Sequence, residues 1–268
     1  MTTRFSELKV DTIVFQPLQE RTYIPGQRVS WRSYKNQNRL LVQSPDMITE
    51  TYGIPREGPF HPSDKERAFY KLPFCHERHL HSDEIDYDQI EAFHDKLKEI
   101  DALCNSDEFR VKIFGEKNAA KYEYQPIVRS RRVENEEGDG EEEAVADRIT
   151  VAGKTDQPYF PPYAKVKLDL AHNTGQPTFR LFDKTDGNRV EVKLDTFSDA
   201  LKHMRFMTKH RFVIHLNRLY AMKNQPSSNE KRKYGIVLKL AAVECTNKNP
   251  AGGRNANPCV ELFDDDDF

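Results

Sequence analysis

The stretch FCHERHLH at residues 74–81 offers the side-chain types that hold a transition metal. On a strand, Cys75, His79 and His81 would share one side, with His94 or Cys104 available as a fourth donor. The spacing argues against it. HERH lacks the histidine four positions after His76 that an HExxH protease helix needs, and no second ligand cluster follows at zinc-finger spacing. The histidines are therefore expected to be partly buried strand residues, with no metal and no cofactor. Asp183, Asp186, Asp195 and Asp199 are the carboxylates that could converge on the two metals of a nuclease. Each has an ordinary role in a turn or near a helix start. No GxxxxGK phosphate loop and no nucleophile elbow occurs, so the expected work is binding rather than catalysis.

The stronger pattern is rings beside cations. WRSYKNQNR (31–39) carries Trp31, Arg32, Tyr34, Lys35 and Arg39, and AKYEYQPIVRSRR (120–132) carries Tyr122, Tyr124, Arg129, Arg131 and Arg132. YFPPYAKVK (159–167) carries Tyr159, Phe160, Tyr163, Lys165 and Lys167, and HMRFMTKHRF (203–212) carries Arg205, Lys209 and Arg211. Arg218, Tyr220, Lys223, Lys231, Arg232 and Lys233 follow around a loop. Unpaired nucleic acid needs this mixture: Lys and Arg meet phosphates, while an aromatic face stacks on a base for ~1–3 kcal/mol whatever the sequence. Each ring has the alternative of filling strand core, and the sequence leaves that open ring by ring.

The charge balance points the same way once it is divided. The net charge is −2, but residues 134–147 carry eight acids and residues 261–268 carry five, with no Lys or Arg in either string. Taking those 13 from the 43 acids leaves 30 against 41 basic residues, a formal +11. Between residues 200 and 254, twelve Lys or Arg face only Glu230 and Glu244. A basic body with two acidic strings suggests a polyanion partner, for which the strings can compete.

The elements that must position these residues are mostly strands. Residues 10–16, 28–34, 39–43, 163–170, 178–183 and 189–194 are short, β-branched or aromatic, and bounded by Pro, Gly or Asn. Asp186-Gly187 is a hairpin turn signal between the last two. Residues 209–222 alternate Phe212, Ile214 and Leu216 against Val213, His215 and Asn217, and 233–245 alternate around Ile236, Leu238 and Leu240. These two long strands are expected to pair as an antiparallel ribbon. Apolar residues at Ile90, Phe93, Leu97, Ile100 and Leu103 mark a helix within 86–104, with Asp86 and Gln89 as a capping pair. A second helix is expected at 197–206. The expected class is mostly β (α+β): an OB-fold-like barrel with a long hairpin, one or two helices and inserted loops.

Residues 1–245 read as one domain with an acidic, disordered insert at 134–147, and residues 246–268 as a disordered tail. The longest nearly apolar stretch, 236–243, is broken by Lys239 and is too short to span a bilayer. The first residues, MTTRFSELKVD, lack a secretory apolar core. Cys75, Cys104, Cys245 and Cys259 form no CxxC pair, which suits reduced thiols in a cytosol-like compartment.

TIVFQPLQERTYIPG, followed by LLVQSPDM and YGI, resembles the N-terminal half of the single-stranded-DNA-binding proteins of nucleocytoplasmic large DNA viruses. YFPPYAKVKL, and KYGIVLKLAAVE after a strand ending in LNRLYAM, resemble their C-terminal half. The resemblance covers about residues 10–245 in short separated motifs. It implies an OB-fold core elaborated by insertions, related to phage replication proteins. It also implies sequence-nonspecific binding of single-stranded DNA in viral replication, recombination and repair, in the host cytoplasm or nucleus. One departure stands out: a tryptophan expected in the late strand pair is replaced by Tyr220, which weakens the case for stacking there. The closing FDDDDF, Phe263, Asp264, Asp265, Asp266, Asp267 and Phe268, is similar to the acidic tip by which bacterial and phage proteins of this function recruit replication enzymes. RNA is a further partner the same chemistry would accept; no membrane partner is expected, and oligomeric state is open. The rival readings are a duplex-DNA- or RNA-binding transcription or virion protein, and a metal-dependent nuclease.

Overall fold

The computed structural model describes residues 2–21, 26–30, 32–34, 39–49, 53–74, 85–130, 161–185, 188–205, 208–225, 227 and 230–246, with the side chain of Arg32 left aside. The first strands are β1 (Thr2–Arg4), β2 (Ile13–Phe15), β3 (Gln19–Glu20), β4 (Gln27–Ser30), β5 (Arg32–Tyr34) and β6 (Leu41–Ile48). Then come α1 (Asp64–Arg67), β7 (Phe69–Pro73), α2 (Tyr87–Asn105), α3 (Asp107–Phe114), α4 (Glu116–Ala119), β8 (Tyr122–Gln125) and β9 (Val128–Arg129). The chain closes with β10 (Tyr163–Lys167), β11 (Arg180–Thr185), β12 (Asn188–Val192), α5 (Phe197–His203), β13 (Lys209–Met222) and β14 (Arg232–Thr246). Among the described residues strand outweighs helix, 45% against 26%, and the main sheet curls into a half-barrel, so the class is the expected β-rich α+β barrel type.

The expected ribbon is the spine of this sheet. β13 and β14 pair antiparallel from Lys209↔Thr246 to Ala221↔Tyr234. On the free side of β13, β6 takes the first half and β4 the second. On the free side of β14, β8, β10 and β11 attach one after another, all parallel to it. β7 then extends β10, and β12 extends β11. β2 and β5 form a separate pair.

Bulges make the long strands work. The β13–β14 register slips between Leu216 and Arg218, leaving Asn217 as an extra residue. Strict alternation from Phe212, Ile214 and Leu216 would carry Arg218 and Tyr220 inward. The slip instead buries Leu219 and Ala221 and turns Arg218 and Tyr220 to the opposite face. A second slip, where β6 meets Arg211 to Val213, accommodates Pro45 inside a strand. There the Phe212 amide donates to Ser44 Oγ at 2.9 Å, replacing a ladder bond.

The helices cover the core face. α2 buries Ile90, Phe93, Leu97, Ile100 and Cys104, and its Asp86 cap accepts from the Gln89 amide at 3.2 Å, as its pattern predicts. Phe93 meets Phe5 and Phe74 edge-on at 5.5 and 5.9 Å. Ser106 ends α2 and starts α3: its hydroxyl donates to the Leu103 carbonyl and accepts from the Phe109 amide. α5 opens on a capping box between Thr196 and Asp199, and stops at His203, short of the expected 206.

Several boundaries differ from expectation. Val10–Thr12 forms a 3₁₀ turn, so that strand begins only at Ile13. The single strand expected over 28–34 is two, β4 in the main sheet and β5 in the small pair. The strand expected at 39–43 starts at Leu41 and runs on to Ile48. The short elements α1, α3, α4, β1, β3, β7, β8 and β9 have no counterpart among the expected ones. Residues 134–147, Asp186-Gly187 and 247–268 lie outside the described residues.

Candidate nucleic-acid interface

Burial separates the predicted rings first. Tyr34 is core: its hydroxyl donates to the Glu7 carbonyl at 3.0 Å. Tyr122 and Tyr124 are core as well, packed with Tyr234 and Phe114, and the Phe114 and Tyr122 rings stack at 3.8 Å. For these three the stacking role is corrected: a ring whose faces are already covered has none to offer a base. Tyr124 also donates to Asp101 Oδ1 at 2.8 Å, and the Ile127 and Val128 amides donate to the same carboxylate at 2.8 and 3.0 Å. Burial pushes the Asp101 carboxyl up against those three bonds. This clamp ties α2 to the entry of β9. A cleft of about 380 Å³ opens beside it, lined by His94, Lys98, Asp101, Pro126, Val128, Ser130 and Pro162.

Tyr163 and Tyr220 are different, because both are only partly buried and stand on the sheet face away from the core. The ladder places cations around them. Arg129 is directly opposite Tyr163, and Lys71 Nζ lies 5.3 Å from the Tyr163 ring. Lys71 is opposite Lys165, whose Nζ lies 3.7 Å from the Phe69 ring. Lys167 is opposite Lys239, and Lys239 opposite His215. Directly opposed residues point to one side of a sheet, so these groups form a single band across β7, β10, β14 and β13. Strands lie ~4.8 Å apart, giving a span of ~15 Å. Arg218 and Lys233 continue the band along β13 and β14.

Its electrostatics are uneven. Desolvation raises the Tyr220 phenol, while the charges of Arg129 and Lys233 work to lower it, placing both within electrostatic reach of the ring. Lys239 is bonded to Asp169, and Lys167 lies 3.3 Å from the same carboxylate. Desolvation works to raise Asp169, but Lys239 and then Lys167 outweigh it and hold it below the usual carboxylate range. Lys233 meets Glu123 at 2.9 Å. Lys165 and Lys167 are exposed on β10.

The same face changes character toward β6, β11 and β12. Asp46 holds Arg211 at 2.7 Å and Lys209 at 3.9 Å. Glu244 draws in Arg189, Lys184 and Arg211 at 3.3, 3.7 and 3.9 Å. The Arg189 and Arg180 guanidinium groups lie 3.8 and 4.8 Å from the Phe182 ring, and Arg180 makes a bidentate pair with Glu191. Lys209 and Arg211, expected to meet phosphates, are therefore each engaged by a carboxylate, in a patch where Asp46, Glu191 and Glu244 offset part of the charge of five cations.

The remaining expectations are scattered. Arg39 is exposed before β6, and Arg32 opens β5. Exposed Arg205 donates to the Lys202 carbonyl. Lys223 pairs with Glu20, Lys231 is exposed in the loop before β14, and Arg232 lies 5.8 Å from the Tyr122 ring. Trp31, Lys35, Arg131, Arg132, Tyr159, Phe160 and 263–268 lie outside the described residues, as do Cys75, His79 and His81. Among the described residues no three His, Cys, Asp or Glu side chains converge as metal ligands. Asp183 faces His203 at 3.5 Å, Asp195 meets Lys193 at 3.0 Å, and Asp199 caps α5.

Sequence reading missed Lys71 and Lys239. Lys239 had a signal, since a charge interrupting the alternation of 236–243 belongs on the solvent side.

No protein-family model matches the chain. It is 27% identical over 253 residues to Uncharacterized protein R505 of Acanthamoeba polyphaga mimivirus. The match covers 89% of this chain and 60% of that viral protein, so the chain spans well under two thirds of its relative's length.

Proposed function

We propose that the protein binds single-stranded DNA without sequence preference and supports viral DNA replication, recombination and repair. The observation that carries this reading is the band in which Tyr163 and Tyr220 stand among Lys71, Arg129, Lys165, Lys167, Lys233 and Lys239. Cations on several strands can follow a flexible backbone, and partly covered rings keep a face for bases. The similarity to a mimivirus protein supports a viral setting, at replication sites in the host cytoplasm or nucleus. Among the described residues no helix is long and apolar enough to cross a membrane. In this proposal the acidic segment 261–268 contacts replication enzymes and competes with DNA for the band.

The test is a fluorescence-anisotropy titration with oligo(dT) of graded lengths, run beside duplex DNA and single-stranded RNA of equal length. Tighter binding of oligo(dT) than duplex, rising to a plateau with length, is the expected result. Equal or tighter duplex binding would replace this reading with that of a transcription or virion protein.

A further inference from the structure

We propose that β12 is a self-pairing sheet edge through which two copies of this chain associate about a two-fold axis at Val190. Three observations meet there. First, among the described residues β12 pairs only with β11, so its outer edge has no ladder partner. Of the other main-sheet strands with one ladder partner, β1, β3, β8 and β9 have two to four residues, and β7, with five, is bridged on its other side where Gly53 pairs with Lys71, whereas β12 has five and no such bridge.

Second, the register leaves the right groups on that edge. Thr185 is directly opposite Asn188 across a two-residue connection, which makes them a hydrogen-bonded pair in a tight hairpin. Asn188, Val190 and Val192 thus direct their N–H and C=O to β11. Those of Arg189 and Glu191 point outward.

Third, the edge is complementary to itself. Exposed edges are commonly guarded by like charges that repel a second copy. Here an antiparallel partner centred on Val190 sets Arg189 of one copy against Glu191 of the other, twice over. The same pairing is the one in which both residues exchange backbone hydrogen bonds. Arg189 and Glu191 already touch Glu244 and Arg180 within their own chain, yet their side chains stay 52% and 48% exposed. Val190, on the opposite face, is 63% exposed and would meet its own copy across the axis. Such an interface is isologous and closed, so it makes dimers and not fibres.

Five residues a side fall short of a standard interface of ~1,200–2,000 Å². Association is therefore weak and dependent on concentration. Arg189 and Glu191 lie on the face that carries the cationic band, so a dimer continues that face from one copy to the next.

Sedimentation velocity on the full chain across the micromolar range tests the proposal, together with two variants. The outward N–H of Glu191 makes no bond to β11, so Glu191→Pro removes a donor from the edge and leaves the hairpin paired. It should raise the dimer dissociation constant at least about tenfold. Val190→Cys places two thiols on the axis, where opposed Cα atoms of a non-hydrogen-bonded pair are ~4.5 Å apart, within disulfide reach. Under mild oxidant it should form a covalent dimer well above the wild-type level, and the double variant should lose it. A wild type that stays monomeric throughout overturns the proposal. So does a dimer that ignores Glu191→Pro while Val190→Cys cross-links no more than wild type, because that dimer uses another surface.

Discussion

Tyr220 lies across Gly235. The two are directly opposed on β13 and β14, and a Cβ at 235 would sit 3.3 Å from Tyr220 Cε1 and 2.8 Å from the Gln125 carbonyl oxygen. The glycine is thus needed for the close approach of β8 and for the seat of the ring. Gly235→Ala forces a backbone shift in β8 and should cost ~1–3 kcal/mol of stability, read as a lowered Tm. Tyr220→Ala removes only a partly buried ring. It should stay folded by circular dichroism and lose ~1–3 kcal/mol of affinity for oligo(dT).

Two pairs of cations separate the band from the ion-paired patch around Asp46 and Glu244. Lys165→Ala with Lys167→Ala should weaken oligo(dT) binding for every base composition and lower the log–log salt slope by ~0.7 per lost phosphate contact. Lys209→Ala with Arg211→Ala removes charges that Asp46 and Glu244 already engage. That variant should leave the slope nearly unchanged. If the second pair moves the slope more than the first, the interface lies over β6 and β11 instead.

Inserting one alanine after Asn217 adds a residue beyond the one that the bulge of β13 absorbs. The strand must then turn Arg218 and Tyr220 inward or break its pairing with β14. Soluble yield and the unfolding midpoint should collapse. Asn217→Ala keeps the residue count, so it should remain folded with a loss of ~1–3 kcal/mol at this buried amide. Equal behaviour of the two variants would show that side chain and not register is what matters there.

His210 gives a pH dependence. Its ring is fully buried between Tyr70 and Phe212, and desolvation brings its pKa down to about 4. The folded protein keeps it neutral while the unfolded chain takes a proton below pH ~6.5. Unfolded chains therefore bind more protons, and stability should fall as pH drops from about 6.5 toward 4, levelling below that, by ~3 kcal/mol at most. Denaturant titrations across this range check it, and His210→Gln should flatten the slope.

Much of this could be read from the chain because it depends on local pattern. The hairpin of 209–246 shows in two long alternations, though not in the bulge at Asn217 that interrupts the first, and α2 shows in its spacing and its Asp86 cap. What escaped depends on contacts far apart in sequence. β7 was missed because Phe69–Pro73 is short and ends in proline, and its pairing with β10 is set nearly a hundred residues later. Tyr122 and Tyr124 look like stacking rings beside Lys121 and Arg129. Their partners, Phe114 and Tyr234, lie on α3 and β14, and no local spacing reveals them. The band itself interleaves rings and cations across strands. The sequence interleaves them along the chain, which is why only part of the expected set converges.

The arrangement of the spine also sets when this protein can form. β4 and β6 are made early, but the strand they pair with begins at Lys209, and that strand's own partner ends at Thr246. During synthesis at ~5–20 residues per second, β6 has only the three-residue β1 beside it and waits ~8–35 s for β13. Its apolar side chains are open to other chains throughout that time. Vectorial production therefore favours a slow, late collapse around the last-made hairpin, and a ribosome-bound chain stopped before Thr246 is a natural client for chaperones.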